Sequence, residues 1–534
     1  MIPDCISFSA IPYTTKLFTD YLSGSAEIRG FFPQPSDTAH IASLARVVPS
    51  GTEIHRRVAE VLERQNQHWG ASDATQRNLQ RLREGAHAVV TGQQVGLFGG
   101  PLLGLMKVVS ALELTAKLEA SGVACVPVFW MASEDHDVAE VNQALLLTHD
   151  FKLASYKAQI TGVEGAPVAN LALGEGTQRL VAETAHLLGE SLASDYLRES
   201  YREGQTLTDA YARLYARIFA KHGLIILDPA DEELHRIATP LFIEAIQRAP
   251  ELDEALLSRN HELAAAGYHE QVKVTDRSTP LFAIVDGARV PVHRANGEFS
   301  IGKERLSPQE LIHRIESHPE RFSANVLLRP VLQDYWLPTL AYFGGPAEIA
   351  YFAQVGVVYE RLLGRITPVL ARLSGTLIEP RIQRLLDKYQ VELPELFHGE
   401  CELRDCIAAR SLPAELKQDF ARGRLAAEDS MHRISESVAR LDPTLLRAAE
   451  RATAKMRYQI DRLERRAAAA ELRRNEAITR HATQIENSLY PRKTLQEREI
   501  SGIYFLAKYG PGLIDRLIES AQAPCPEHKI IRLG

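Results

Sequence analysis

Residues Ala86–Met131 read AHAVVTGQQVGLFGGPLLGLMKVVSALELTAKLEASGVACVPVFWM. The stretch opens on Ala86–Thr91, a short apolar run rich in β-branched residues that ends at a glycine. That is the composition of a strand. Gly99-Gly100-Pro101 breaks the chain, and Leu102–Ala120 then carries apolar residues at 102, 105, 106, 109, 112 and 116, a helical spacing. Val126–Met131 is a second apolar strand, and Asp135–Leu145 reads as the helix after it. Strand, loop, helix, strand, loop, helix is the order of a Rossmann-like, doubly wound parallel sheet in an α/β protein.

Upstream, residues 1–85 read as a polar helical part of this core, and residues 86–150 as its first half. Residues 151–220 lose the pattern and read as an inserted connecting module. It resumes over 221–390, the second half, with a strand at Gly223–Asp228 and a helix from Asp231 to Arg248. Asp286-Gly287 marks a β-hairpin insertion near 280–303. Further strands are expected at Asn325–Leu332, Leu340–Phe343 and Ile366–Leu370, and a helix at Thr376–Tyr389.

Residues 391–490 are read as helical and coiled-coil, followed by a segment, 491–534, that packs back on the body. Apolar residues fall at 434, 438, 441, 445, 448, 452, 456, 460, 463, 467 and 470, steps of three and four that form a heptad seam with one stutter. Pro443 interrupts it, so the regular coil begins after the proline or the chain is broken there. A seam flanked by charge buries itself fully against another helix, which predicts a homodimer through 445–470. A long amphipathic helix lying on its own body is the other reading.

Composition narrows the function. The chain has 534 residues, 45% apolar and 24% charged, with 61 basic against 68 acidic residues for a net charge of −7. No strongly basic footprint for nucleic acid is present. No apolar run reaches the roughly 18 residues of a membrane span, and the first residues lack a secretory pattern. The five cysteines are few and scattered, as in a reduced cytoplasmic protein. Cys401 and Cys406 lack the second ligand pair of a zinc site, so no structural metal is expected.

Three patches carry chemistry. Thr91–Pro101 joins a strand to a helix start, where free N–H groups and a positive dipole end can cradle an anion. Gly92, Gly96, Gly99 and Gly100 allow close approach there, while Gln93 and Gln94 offer amides to a substrate. Ser133–Asn142 (SEDHDVAEVN) crowds Glu134, Asp135, His136, Asp137 and Glu140 at the carboxyl end of a strand, where open α/β sheets bind ligands. His136 there is a candidate general base, and the carboxylates can hold an amine or Mg²⁺, with Asn142 beside them. Helix capping accounts for one or two of those acids, not for all. The third patch, Asn325–Gln354, holds Arg329, suited to a carboxylate, and a second Gly-Gly-Pro turn at Gly344-Gly345-Pro346 followed by Glu348. Two such turns can converge on one site or simply start two helices. After the coil, Arg492, Lys493 and Arg498 can face a phosphate or form a solvated helix start.

The segments TGQQVGLFGGPLLGLMK, PVFWMASEDHDVAEVN, HPERFSANVLLRPVLQDYWLPTLAYFGGPAEIAYF and LQER…YFLAKYGPG together resemble the cysteine-adding enzymes of bacillithiol biosynthesis, over nearly the whole chain and in the same order. The resemblance implies a Rossmann-like core and a C-terminal coiled coil that makes a dimer. It implies a ligase that joins the carboxyl of L-cysteine to the amine of glucosaminyl-malate. The core is similar to class I nucleotidyl-transferring synthetases as well, but Thr91–Gly104 has no HxGH motif and no KMSKS-like loop follows. Amide formation in water needs an activated carboxyl, most simply through ATP with Mg²⁺. On this reading His136, Asp135, Asp137 and Glu134 are catalytic. Gln93, Gln94, Glu140, Asn142, Arg329 and Glu348 bind substrate. Gly92, Gly96, Gly99, Gly100, Arg492, Lys493 and Arg498 bind the nucleotide or another anion. The rival readings are a different Rossmann-type nucleotidyl- or glycosyl-transferring enzyme, and a coiled-coil scaffold on an inactive enzyme fold.

Overall fold

The computed structural model describes residues 4–398, 403–523 and 525–534. Five strands form the central sheet: β1 (His87–Gln93), β2 (Cys125–Met131), β3 (Ile225–Leu227), β4 (Thr339–Gly344) and β5 (Val369–Ala371). All pairings are parallel, in the order β5-β4-β1-β2-β3. Strands β1 to β4 are buried almost throughout, which is why they read as continuous apolar runs rather than alternating ones. Helix α1 (Leu103–Ala120) carries the chain from β1 to β2, and α2 (Pro346–Leu363) from β4 to β5. Residues 103–115 of α1 are buried without a break, as expected of a helix apolar on nearly every side.

The direction of winding reverses in the middle of the sheet. From β1 the chain moves one way to β2; from β4 it moves the opposite way to β5. The gap between the β1 and β4 ends is therefore the switch point, where doubly wound sheets bind ligands. Thr91 Oγ1 donates to the carbonyl oxygen of Phe343 at 2.9 Å and fastens the two strands just below it.

Several elements differ from the sequence reading. Asp135–Leu145 is not a helix: one turn, Val138–Val141, gives way to a strand, Gln143–Leu147, paired antiparallel with Leu153–Lys157. Asn325–Leu332 is not a strand. Asn325 Oδ1 accepts the N–H groups of Leu327 and Leu328, each at 2.9 Å, and Pro330 sits in the first turn of a helix, Arg329–Trp336. Residues expected to open the helix at Thr376 instead form a strand, Gly375–Ile378, and the helix starts at Pro380. That strand pairs parallel with His528–Arg532, which pairs antiparallel with Cys5–Ile6, so the two chain ends meet in one small sheet. Cys5 and Cys525 are joined there as a disulfide, contrary to the reduced state expected for the cysteines. The sequence hides this pair because 520 residues separate its members. Cys401 lies outside the described residues.

The hairpin at Asp286-Gly287 forms as read, with Leu281–Val285 against Ala288–Ala295 and both turn residues at positive φ, 50° and 84°. Pro443 breaks the seam. Helices α3 (Ala414–Leu441) and α4 (Leu446–Arg474) fold back on each other as a hairpin, tied by Arg424 to Glu464 and by Arg424 to Asp461 at 3.4 Å. The seam is thus divided between two helices of one chain. Among the described residues no helix is long and apolar enough to cross a membrane.

Candidate active site

Two cavities open at the carboxyl ends of the strands. The larger, about 710 Å³, is lined by Gly92, Trp130, Glu134, Asp135, His136 and Arg329 among others. The smaller, about 290 Å³, lies at the switch point and is lined by Gly96, Gly100, Arg372, Arg492 and Arg498 among others. Gln93, Gln94, Lys107, Glu140, Ala347 and Glu348 line both and form their common wall. The two Gly-Gly-Pro turns do converge: Gly100-Pro101 and Gly345-Pro346 both reach the smaller cavity, and each also begins a helix.

The wall is built around a buried ion pair. The Lys107 ammonium contacts the Glu348 carboxylate and donates to the Gly92 carbonyl oxygen at 2.7 Å. Glu348 also accepts the Tyr342 hydroxyl at 2.6 Å and the Gly345 N–H at 2.7 Å. Burial alone would raise its pKa, but Lys107 and these donors hold it below the usual carboxylate range. Lys107 escaped the sequence reading, yet its signal was there: it is the one charge between Leu102 and Leu112. A lysine on an all-apolar helix needs a partner or must lose its charge.

The acidic patch divides by role. Gln94 Nε2 donates to Asp135, linking the glycine loop to the patch, and Gln94 Oε1 is buried without a partner. Asp135 also accepts the His136 backbone N–H at 2.8 Å, and its carboxylate stands 3.4 Å from His136 Nδ1. The His136 ring is 46% exposed at the cavity mouth. Glu134 points inward to His235 Nε2 at 2.8 Å. Burial works against a charged imidazole there, but the Glu134 carboxylate outweighs it and holds His235 above its ordinary range. Burial, then the charges of Asp137 and Asp135, push the Glu140 carboxyl up. Beneath the patch Ser133 Oγ donates to Asp228, a carboxyl that burial pushes up to about 6.

Not every expected residue faces a cavity. Asp137 caps the 138–141 turn, accepting the Glu140 N–H at 3.2 Å, and lines neither space. Asn142, Gly99 and Lys493 line neither. Gly99 is turned inward: its N–H donates to the Tyr201 hydroxyl at 3.2 Å and its carbonyl oxygen accepts from Tyr215 at 3.1 Å. Its backbone is spent on the 151–220 segment rather than left for a ligand. Arg329 lies in the larger cavity with its guanidinium over Trp130 and Tyr342, 5.5 and 5.1 Å from the ring centroids. It begins a helix rather than ending a strand.

Arg372, Asp228, His235 and Arg289 were missed. Arg372 and Asp228 follow the ends of β5 and β3, a position that marks them by the strand-end rule. His235, inside a helix, and Arg289, inside a hairpin, carry no such signal. Arg289 lies over the Phe282 ring at 3.9 Å and faces the larger cavity from above. Among the described residues no three of His, Cys, Asp and Glu converge as a metal site.

A parallel sheet with its ligand crevice between two glycine-started helices defines a Rossmann-like α/β protein. Two family models cover the chain: "Bacillithiol biosynthesis BshC, N-terminal Rossmann-like domain" matches residues 1–373, and "Bacillithiol biosynthesis BshC, C-terminal coiled-coil domain" matches 375–533. The chain belongs to the BshC family of bacillithiol biosynthesis. A relative from Koribacter versatilis is 51% identical across all of both chains, and one from Solibacter usitatus is 36% identical over 99% of each. A Bacillus anthracis relative is 28% identical over 96% of this chain and 97% of its own. All three bear the name "Putative cysteine ligase BshC".

Proposed function

We propose that this protein is a cysteine ligase that forms the amide between L-cysteine and glucosaminyl-malate in the last step of bacillithiol biosynthesis, with ATP and Mg²⁺ supplying activation. The observation that carries the reading is the common wall: two cavities of different character meet across Gln93, Gln94, Lys107, Glu140 and Glu348. A condensation needs two reactants held in contact, and positioning of this kind accounts for much of the barrier. In the larger cavity Asp135 and Glu134 favour an amine and Arg329 a carboxylate. His136 at the mouth takes the proton that the attacking amine must lose, and Asp135 orients its ring. The activated carboxyl loses its oxygen to the phosphoryl or adenylyl leaving group as the C–N bond forms. Lys107 supplies positive charge where negative charge develops.

The same proposal extends to assembly: α3 and α4 pair with a second copy to form a homodimer. Purified protein incubated with L-cysteine, glucosaminyl-malate and Mg²⁺-ATP is expected to yield bacillithiol by mass spectrometry. His136→Ala and Asp135→Asn are expected to abolish product while the melting temperature holds. Near-normal turnover in both variants would remove the acidic patch from the chemistry. A thermal-shift response to sugar nucleotides, with none to cysteine or glucosaminyl-malate, would favour a glycosyl-transferring enzyme instead.

A further inference from the structure

We infer that the smaller cavity is a binding site for a multiply charged anion, a phosphoryl group or a dicarboxylate, anchored by Arg372. Three independent features meet there. The first is topological: the cavity sits at the switch point, and the starts of α1 and α2 both open onto it. Each helix start turns the positive end of its dipole toward the space, although Gly345 N–H is already taken by Glu348 and Leu102 and Gly104 N–H by backbone carbonyl oxygens. Gly96 and Gly345 keep the approach open. A Cβ on Gly96 would fall 2.7 Å from Gly100 Cα, so that turn tolerates no side chain.

The second is charge. Lys107, Arg372, Arg492 and Arg498 face the space against the carboxylates of Glu140, Glu348 and Glu499. Arg492 leans on Glu499 at 3.5 Å. Arg498 has no ion-pair partner among the described residues, so its charge is available. The third is a buried donor without a partner. The Arg372 side chain is 4% exposed; Nη2 meets Glu497 at 2.5 Å and Nη1 donates to the Leu373 carbonyl oxygen at 2.6 Å. Its Nε has no acceptor at all. A Cβ placed on Gly345 would lie 3.6 Å from that Nε, on the cavity side. Leaving a buried charged donor unsatisfied is costly, and an anion in the cavity resolves it. Glu497 is itself fixed by Ser374 Oγ at 3.0 Å and Gly375 N–H at 2.8 Å, so Arg372 is held in place before a ligand arrives.

The anion site stands on this geometry alone. Which reactant puts its anion there, the phosphates of the nucleotide or the malate of the amine substrate, rests on the ligase reading. Calorimetric titration of the full chain with pyrophosphate, with L-malate and with acetate separates them without any turnover. Saturable binding of pyrophosphate or L-malate, weakened by added salt and absent for acetate, is expected. Arg498→Gln and Arg372→Lys are each expected to weaken that binding about tenfold, the loss of one charge-assisted contact. Tight pyrophosphate binding assigns the site to the nucleotide, and tight malate binding assigns it to the amine substrate. No saturable binding of either, or binding that Arg498→Gln and Arg372→Lys leave unchanged, overturns the proposal. Absence of ligase activity in the parent protein, with anion binding intact, would count against the ligase reading only.

Discussion

At the sheet edge, Lys107, Arg372 and Glu497 are charged and buried, and each is held by several protein groups. In the α3–α4 hairpin, Leu425, Leu441 and Leu463 are apolar and exposed, at 61%, 82% and 58%. The two regions violate the ordinary burial rule in opposite senses. Buried charge is tolerated where the fold supplies partners in advance. Exposed apolar surface is tolerated where something outside the protomer covers it. The hairpin helices bury few side chains of their own: α3 buries Phe420 and Met431, and α4 buries Ala449 and Ala468. The core closes on itself, and the arm leaves these leucines exposed on the protomer.

The largest expected effect tests the buried pair. Lys107→Met removes the ammonium and leaves Glu348 facing the Gly92 carbonyl without its counter-charge. Breaking a buried pair by deleting one partner costs about 3 kcal/mol or more. Chemical denaturation is expected to show that loss, together with an upward move of the Glu348 pKa toward neutrality. A variant as stable as the parent would mean that water already reaches the wall and that the pair is not a buried one.

Asp228 sharpens the same point with the opposite sign. Burial raises its carboxyl from 3.8 to about 6, so the folded protein binds that proton more tightly than the unfolded chain does. Stability from this group is present below about pH 4 and is lost as pH rises through about 6. Asp228→Asn keeps an oxygen to accept from Ser133 and Ala230 and removes the charge. It is expected to stabilise the protein at pH 7 by about 2 kcal/mol, and to do nothing at pH 4, read by melting temperature across pH. A drop at pH 7 would show that the ionised carboxylate is wanted there.

A smaller effect separates the glycine loop from the acidic patch. Gln94→Ala deletes the amide that bridges them and is expected to cost about 1 kcal/mol in stability, the net worth of one hydrogen bond, somewhat more to a charged acceptor. Its effect on turnover should be larger than its effect on stability, because Asp135 and the His136 ring then lose their fixed position. Equal and small effects on both would leave the bridge purely structural.

The sheet was legible because buried parallel strands are short apolar runs, and β1, β2 and β4 are all of that kind, with glycine at the ends of β1 and β4. The candidate site was legible where it lies at a strand end: Gln93 closes β1, and Gln94, Asp135 and Glu348 sit on loops or a helix start that the chain order places together. Arg329 was found but put on the wrong element, because an apolar run before Pro330 looks the same in either structure until the Asn325 cap is seen. His235 was not legible, since its partner Glu134 is 101 residues away; Arg372 was marked only by its place after a strand end, and its partner Glu497, 125 residues away, is brought close by the fold alone. The break in the arm was legible at Pro443, but the folding back of its two helices on each other was not, because a heptad pattern survives a hairpin and the apolar stripe of each helix keeps its period.

The smallest effect on the protomer is the most decisive for the arm. Leu463 is on α4, 58% exposed, with no described contact that its loss would leave unsatisfied. Leu463→Glu should therefore change the stability of one protomer by no more than about 0.5 kcal/mol, the ordinary range for a surface site. If a second copy covers this face, the same substitution places a carboxylate in an apolar interface, and its desolvation opposes association. Light scattering on the parent is expected to give the mass of two chains, and on Leu463→Glu the mass of one, with the helical content and melting temperature measured at low protein concentration unchanged. A parent that is monomeric at micromolar concentration would break the comparison from this side: the exposed leucines would then be a solvent-facing stripe, and the arm would be a strut for the body rather than a surface for its twin.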